Sequence, residues 1–245
     1  MQDIFRRREK KYLITTEQGK ALQRLIRRYA EIDRQGEYLV QDLYYDTDDW
    51  DVVRTLIEKP LFKEKLRLRF YGSYESGSQG FLEMKRKHNS TVYKRRIAIP
   101  SGELKNRSVM EIVSELDSQI AREINHYLQT NQVSEKIHIT YKRIAYTGVK
   151  DDGLRVTFDK GIAFHLYSLN NNNLWEYNPD DYYGGQILND NQMLMEIKTM
   201  GAIPLWFVDA LSENRLLPVS FSKFGVSYAK YISKWQSFEE VKNAA

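Results

Sequence analysis

Apolar and charged residues alternate with a period of two in several well-separated stretches of the chain. They are Lys65-Leu66-Arg67-Leu68-Arg69-Phe70, Leu82-Glu83-Met84-Lys85, Leu154-Arg155-Val156-Thr157-Phe158-Asp159, and Leu194-Glu196-Lys198 interleaved with Met195 and Ile197. Successive side chains of a strand point to opposite faces, so each stretch carries one apolar face and one face of Lys, Arg and Glu. Strands are predicted at about 4–14, 38–46, 64–72, 80–88, 92–99, 137–147, 153–160 and 192–199. Glycines 72, 77 and 80, with Asn89-Ser90, read as turns that make 64–99 an antiparallel meander. Helices are predicted between the strands. The first follows Thr15, which forms a capping box with Gln18, and presents Leu22, Leu25, Ile26 and Tyr29 as a stripe. Further helices are expected over 48–58, over 109–129 as one continuous element, from Pro204 in a first helical turn, and near Phe224. Residues 170–191, with four consecutive Asn, read as a long polar loop.

These elements predict an α+β fold, an eight-stranded antiparallel β-barrel with helices packed outside, as a single domain over 1–245. Two orientations are open. Leu66, Leu68 and Phe70 could fill the barrel while the charges face water. Alternatively, the apolar faces dock the helices and the charges line a wet tunnel, and five amphipathic helices needing an apolar surface favour this second arrangement. A tunnel lined by cations is costly in desolvation and repulsion unless an anion occupies it. Phosphoanhydride chains meet that demand, with Arg as bidentate forks and Lys as point charges. The carboxylates Glu9, Glu83, Asp159 and Glu196 are too few to balance the set and suit a hard divalent cation bridging phosphate oxygens.

Charge distribution sharpens this picture. The net charge is +4 from 37 basic and 33 acidic residues, yet residues 63–96 alone hold ten Lys/Arg against three Glu. The positive charge is local, which suits a phosphate-rich ligand better than general adhesion to membranes or nucleic acid. Leu66, Leu68 and Phe70 lie opposite the basic residues, which argues against a base-stacking platform, so no nucleic-acid partner is expected. There is no cysteine, hence no disulfide, thiolate metal site or Cys nucleophile. The charged first twelve residues lack a signal-peptide core, and no apolar run reaches the ~20 residues of a membrane helix, so a cytoplasmic protein is expected. His88, His126, His138 and His165 show no metal spacing.

The motifs Arg8-Glu9-Lys10-Lys11-Tyr12, Tyr45-Asp46-Thr47, KLRLRFYG at 65–72, LEMKRK at 82–87, YKRR at 93–96, TYKRIAY at 140–146, LRVTFD at 154–159, LMEIK at 194–198 and SFSKFG at 220–225 occur in an order that resembles the VTC domain. This is the polyphosphate polymerase module of the vacuolar transporter chaperone complex, within the triphosphate tunnel metalloenzymes. The resemblance runs from Phe5 to about Tyr231. It implies an eight-stranded tunnel in which the γ-phosphate of ATP passes to a growing inorganic polyphosphate chain. It further implies that Lys11, Arg67, Arg69, Lys85, Lys94, Arg143 and Arg155 bind phosphates and that Lys223 lies near the tunnel mouth. Glu196 would hold the divalent metal, Mn²⁺ or Mg²⁺, with Glu9 as a second carboxylate. Lys198 joins the set because it shares the face of Glu196. Because relatives work inside a membrane complex, a separate membrane protein partner is also implied.

The hydrolase branch of that superfamily carries E-x-E-x-K on its first strand. Here the same face reads Arg7, Glu9, Lys11, which favours transfer to a phosphate acceptor over activation of water. The alternatives are a metal-dependent tripolyphosphatase or nucleoside triphosphatase on the same fold, and a polyphosphate-binding module without turnover. Arg6, Arg8, Lys10, Arg86 and Arg95 have the opposite parity and are expected outside. Tyr141 shares the face of Arg143.

Overall fold

The structure, a computed structural model, describes residues 8–58, 60–72, 77–88, 91–149, 153–166 and 184–232. In chain order the elements are β1 (Arg8–Thr15), α1 (Thr16–Ile26), β2 (Ala30–Asp46), α2 (Asp51–Glu58), β3 (Phe62–Tyr71), β4 (Gln79–His88) and β5 (Thr91–Pro100). They continue with α3 (Val109–Glu115), α4 (Gln119–Asn131), β6 (Ser134–Gly148), β7 (Arg155–Leu166), β8 (Gly184–Gln186), β9 (Gln192–Thr199) and α5 (Leu205–Glu213). Residues 223–232 are also helical. The chain forms two compact units, and β2, β6 and β7 contribute residues to both. Every register determined is antiparallel, giving the expected α+β class. The predicted closure into a barrel is not seen: no ladder among the described residues closes the strands into a ring.

The first unit comprises Met1–Leu39, Tyr141–Ile162 and Leu188–Phe221. In it β9 lies between β1 and β7. Tyr12 and Ile14 of β1, Val156 and Phe158 of β7, and Met193, Met195 and Ile197 of β9 face one way. They pack against Leu22 and Ile26 of α1 and Phe207, Ala210 and Leu211 of α5. Helix α1 starts as expected: the Thr15 hydroxyl accepts from the Gln18 N–H at 3.1 Å, and the Gln18 side chain accepts from the Thr15 N–H at 2.9 Å. Tyr29 falls beyond the end of this helix, is largely exposed, and stacks on Trp206. Pro204 is the N-cap of α5, one position before the first turn where it was expected.

The second unit comprises Val40–Thr140, Ala163–Ile187 and Ser222–Ala245. Its strands follow the order β2-β3-β4-β5, so the predicted meander is present. Leu66, Leu68 and Phe70 of β3, Leu82 and Met84 of β4, and Ile97 and Ile99 of β5 pack against Ile112 and Val113 of α3 and Ala121, Ile124 and Leu128 of α4. The long helix expected over 109–129 is broken in two. Leu116 adopts an extended conformation, and the Ser118 hydroxyl accepts from the Ala121 N–H to start a new helix. The predicted polar loop contains β8, which pairs with β7, while residues 170–183 lie outside the described residues, as do Asn89-Ser90.

In both units the apolar strand face docks the helices, where burial contributes about 1.5–3 kcal/mol per large side chain. The charged positions of these strands therefore occupy the face away from the helices.

Candidate functional site

The second unit places its polar face on four neighbouring strands. Register puts Tyr44, Arg67, Glu83 and Arg96 in one row and Lys65, Lys85 and Lys94 in the next. Asp42 stands opposite Arg69. Arg69 grips Asp42 with two bonds, Nε to Oδ1 at 2.5 Å and Nη2 to Oδ2 at 2.6 Å. Arg67 donates from Nε and Nη2 to Glu83 Oε2 at 3.0 and 2.7 Å, and from Nη1 to the Tyr44 hydroxyl at 3.2 Å. Lys94 Nζ lies 2.5 Å from Glu83 Oε1, and Arg96 is 3.9 Å from the same oxygen.

Both carboxylates are buried, which would raise their pKa values. The cations around them prevail: Arg67 and Arg69 hold Asp42 far below the usual carboxylate range, with Lys223 adding to the effect. Arg67, Arg69 and Lys94 bring Glu83 down to about 2. Both are anions at any ordinary pH, and each fixes guanidinium groups in place. The Tyr44 ring stacks on Phe224 at 4.6 Å and lies under the Lys65 ammonium, 5.2 Å away. Lys65, Arg67, Arg69, Lys85, Lys94 and Arg96 thus share a face with Asp42 and Glu83. Three lysines in register across three strands are destabilising unless something offsets their repulsion.

The first unit has a polar face of different balance. Arg143 grips Asp159 through Nε at 2.7 Å and Nη2 at 2.8 Å, and its guanidinium lies 5.2 Å from the Tyr141 ring. Arg155 donates to Asp33 at 2.6 Å. Across β1, β9 and β7, Lys11 stands opposite Glu196, which stands opposite Thr157; Glu9, Lys198 and Arg155 form the adjacent row. Lys11 Nζ donates to the Phe221 carbonyl at 2.8 Å and lies 3.4 Å from Glu9. Lys198 is 3.1 Å from Glu196. Here carboxylates and cations are matched.

The residues expected from the sequence thus fall into two groups. Arg67, Arg69, Lys85, Lys94 and Lys223 belong to the second unit, and Lys11, Arg143, Arg155, Glu9, Glu196 and Lys198 to the first. Asp42, Tyr44, Asp33 and the row partners Lys65 and Arg96 were not among the expected site residues. The motif Tyr45-Asp46-Thr47 instead serves structure: Asp46 accepts from the N–H groups of Thr47, Val52 and Val53 and so begins α2, while Tyr45 is core. Of the charges expected outside, Arg86 pairs with Glu64 and Glu123, and Arg95 with Glu123. Arg8 and Lys10 line a cavity of about 260 Å³ with Ile203 and Val208. Arg6 lies outside the described residues.

Among the described residues no cluster of three His, Asp or Glu could by itself enclose a metal. Glu196 and Glu9 lie diagonally on adjacent strands. Two carboxylates of this kind fit a Mg²⁺-like ion that draws its remaining oxygens from bound phosphate and water. Among the described residues no helix is long and apolar enough to cross a membrane.

Solved structures similar to the chain include a putative adenylate cyclase from Vibrio parahaemolyticus, 11% identical over 95% of this chain and 99% of that one, with a TM-score of 0.46. A Pyrococcus horikoshii protein is 16% identical over 85% of this chain and 86% of its own, with a TM-score of 0.40. The Schizosaccharomyces pombe Mediator head module is 8% identical over 85% of this chain and 90% of the matched one, with a TM-score of 0.43. No curated protein matches the sequence. The family model described as the VTC domain matches residues 6–232, nearly the whole chain, and the protein belongs to that family.

Proposed function

We propose that the protein is a polyphosphate polymerase, transferring the γ-phosphate of ATP to the end of an inorganic polyphosphate chain. The observation that carries this reading is the row Lys65–Lys85–Lys94 beside Arg67, Arg69 and Arg96, on a strand face where the cations outnumber the carboxylates Asp42 and Glu83. A polyanion with many acceptor oxygens is the ligand such a face would take. Membership of the VTC family supports the same reading.

Phosphoryl transfer is catalysed mainly by alignment and by neutralising charge on the transferred group. The terminal oxygen of polyphosphate attacks the γ-phosphorus, the bond from that phosphorus to the β,γ-bridging oxygen breaks, and ADP leaves. An ionised phosphate is already a nucleophile, so no Ser, Cys or His must be activated. Arg67 is braced by Glu83 and Tyr44, Arg69 by Asp42, and Arg143 by Asp159, so these guanidiniums meet the phosphates without first being ordered. Lys11, Lys85, Lys94, Arg155, Lys198 and Lys223 supply further positive charge. A divalent cation held at Glu196 and Glu9 would neutralise phosphate oxygens there. A membrane protein that removes the product fits the same reading.

The test is to incubate the purified protein with ATP and Mn²⁺, resolve polyphosphate on a gel and assay orthophosphate. A ladder of chains with ADP, lost in Glu196→Ala, is expected. Orthophosphate without a ladder would overturn the polymerase in favour of a hydrolase. Tight polyphosphate binding with neither product would leave a binding module.

A further inference from the structure

Thr157 sits in the middle of the first unit's polar face, on β7, directly opposite Glu196. It is 2% exposed, and its Oγ1 makes no hydrogen bond among the described residues. Burying a hydroxyl without a partner costs stability, and native proteins seldom leave one so. A β-branched residue at this strand position would pack as well with a methyl in place of the hydroxyl, so packing does not explain it. The carboxylates of the same face are already engaged by cations: Asp159 by Arg143, Glu196 by Lys198, Glu9 by Lys11 and Asp33 by Arg155. The hydroxyl is thus a donor on a face whose carboxylates are each already paired with a cation.

We infer that Thr157 is a phosphate-binding residue, its hydroxyl donating to a non-bridging oxygen of the phosphate chain beside Glu196. This rests on the proposed phosphate-chain ligand. Arg155, two residues away on the same face, and Lys11, in the same cross-strand row, supply charge to that phosphate. Thr157 supplies what they lack, a short neutral donor of fixed direction, which selects an oxygen rather than a charge. A buried water would satisfy the hydroxyl equally well, and the two assignments differ in what removal of the hydroxyl does to binding.

The experiment compares wild type, Thr157→Val and Thr157→Ser in two readouts: unfolding temperature without ligand, and calorimetric binding of tripolyphosphate in EDTA, where no metal-dependent turnover intervenes. Thr157→Val keeps the shape and removes an unsatisfied hydroxyl, so its unfolding temperature should equal or exceed that of wild type. Its affinity for tripolyphosphate should fall about tenfold, as for a hydrogen bond to a charged acceptor. Thr157→Ser should bind within about twofold of wild type, since it keeps the donor. Unchanged binding by Thr157→Val would overturn the assignment and leave a hydroxyl satisfied by water. A marked loss of stability in Thr157→Val would overturn it too, by showing that the hydroxyl has a structural partner. Failure of wild type to bind tripolyphosphate would instead overturn the proposed function, on which the assignment rests.

Discussion

Asp42 shows how much of the cationic face depends on one carboxylate. It is fully buried, holds Arg69 by two bonds and lies 3.5 Å from Arg67. Asp42→Asn keeps the shape but leaves two guanidiniums near a neutral group. Breaking a buried ion pair from one side costs about 3–5 kcal/mol, and a fall of that order in urea-unfolding free energy is expected, with weaker polyphosphate binding. A fall below about 1 kcal/mol would mean the guanidiniums find solvent or another partner. Glu83 gives the matching pH effect. Its folded pKa is about 2 against an ordinary 4.5, so its contribution to stability is complete above pH 4.5 and drains as pH falls toward 2. Glu83→Gln should lower the unfolding temperature at pH 6 and flatten its pH dependence between 4.5 and 2. A wild-type and variant pair with parallel profiles would contradict the assignment. The sequence hid Asp42 for a physical reason. In Leu39-Val40-Gln41-Asp42-Leu43-Tyr44-Tyr45-Asp46, residues 40–46 are all buried, so no alternation of polar and apolar residues marks a face. The Arg and Glu positions of β3, β4 and β9 were legible because their neighbours on either side are plainly apolar.

At the scale of elements, the strands and caps that were legible are those with strong local chemistry. The Thr15–Gln18 box is one. Thr15→Ala removes an acceptor for the Gln18 N–H and should cost about 1 kcal/mol of stability, read by denaturant unfolding with an unchanged slope. Gly80 on β4 is a second local requirement. A Cβ there would lie 2.5 Å from Cζ of the buried Phe70 ring, so Gly80→Ala should destabilise by about 1–3 kcal/mol through displaced packing. A neutral outcome would mean the ring rotates away at little cost. Two elements escaped the pattern. Residues 30–37 of β2 are mostly exposed and polar, and Gly36 has a φ of 62°, so pairing rather than side-chain alternation holds that half of the strand. The break between α3 and α4 escaped because Ile112, Leu116, Ile120 and Ile124 keep a spacing of four across it. Only Asp117-Ser118 marks it, and a serine becomes a cap only when the chain before it turns extended.

For the whole molecule, the question is what offsets the repulsion concentrated in one part of the chain. Residues 63–96 carry +7 while the protein carries +4, so the remainder is −3 and the net charge conceals the asymmetry. Much of this segment's charge sits on the polar face of β3, β4 and β5 with lysines in register, where ligand anions can relieve it. A ligand that binds only the folded state stabilises it by about 2.7 kcal/mol at a hundred times its dissociation constant. Tripolyphosphate should therefore raise the unfolding temperature by several degrees, more than orthophosphate at equal phosphorus, because a chain engages several cations of the rows at once. Screening gives the control. At 0.1 M salt the Debye length is about 10 Å and at 1 M about 3 Å, so the shift should shrink steeply over that range if it is electrostatic. Arg67→Gln removes one braced guanidinium and should reduce both the shift and its salt dependence. A tripolyphosphate shift indifferent to salt and to Arg67→Gln would place the anion away from the rows of β3, β4 and β5. Equal shifts with orthophosphate and tripolyphosphate would point to independent single-phosphate sites rather than a track for a chain.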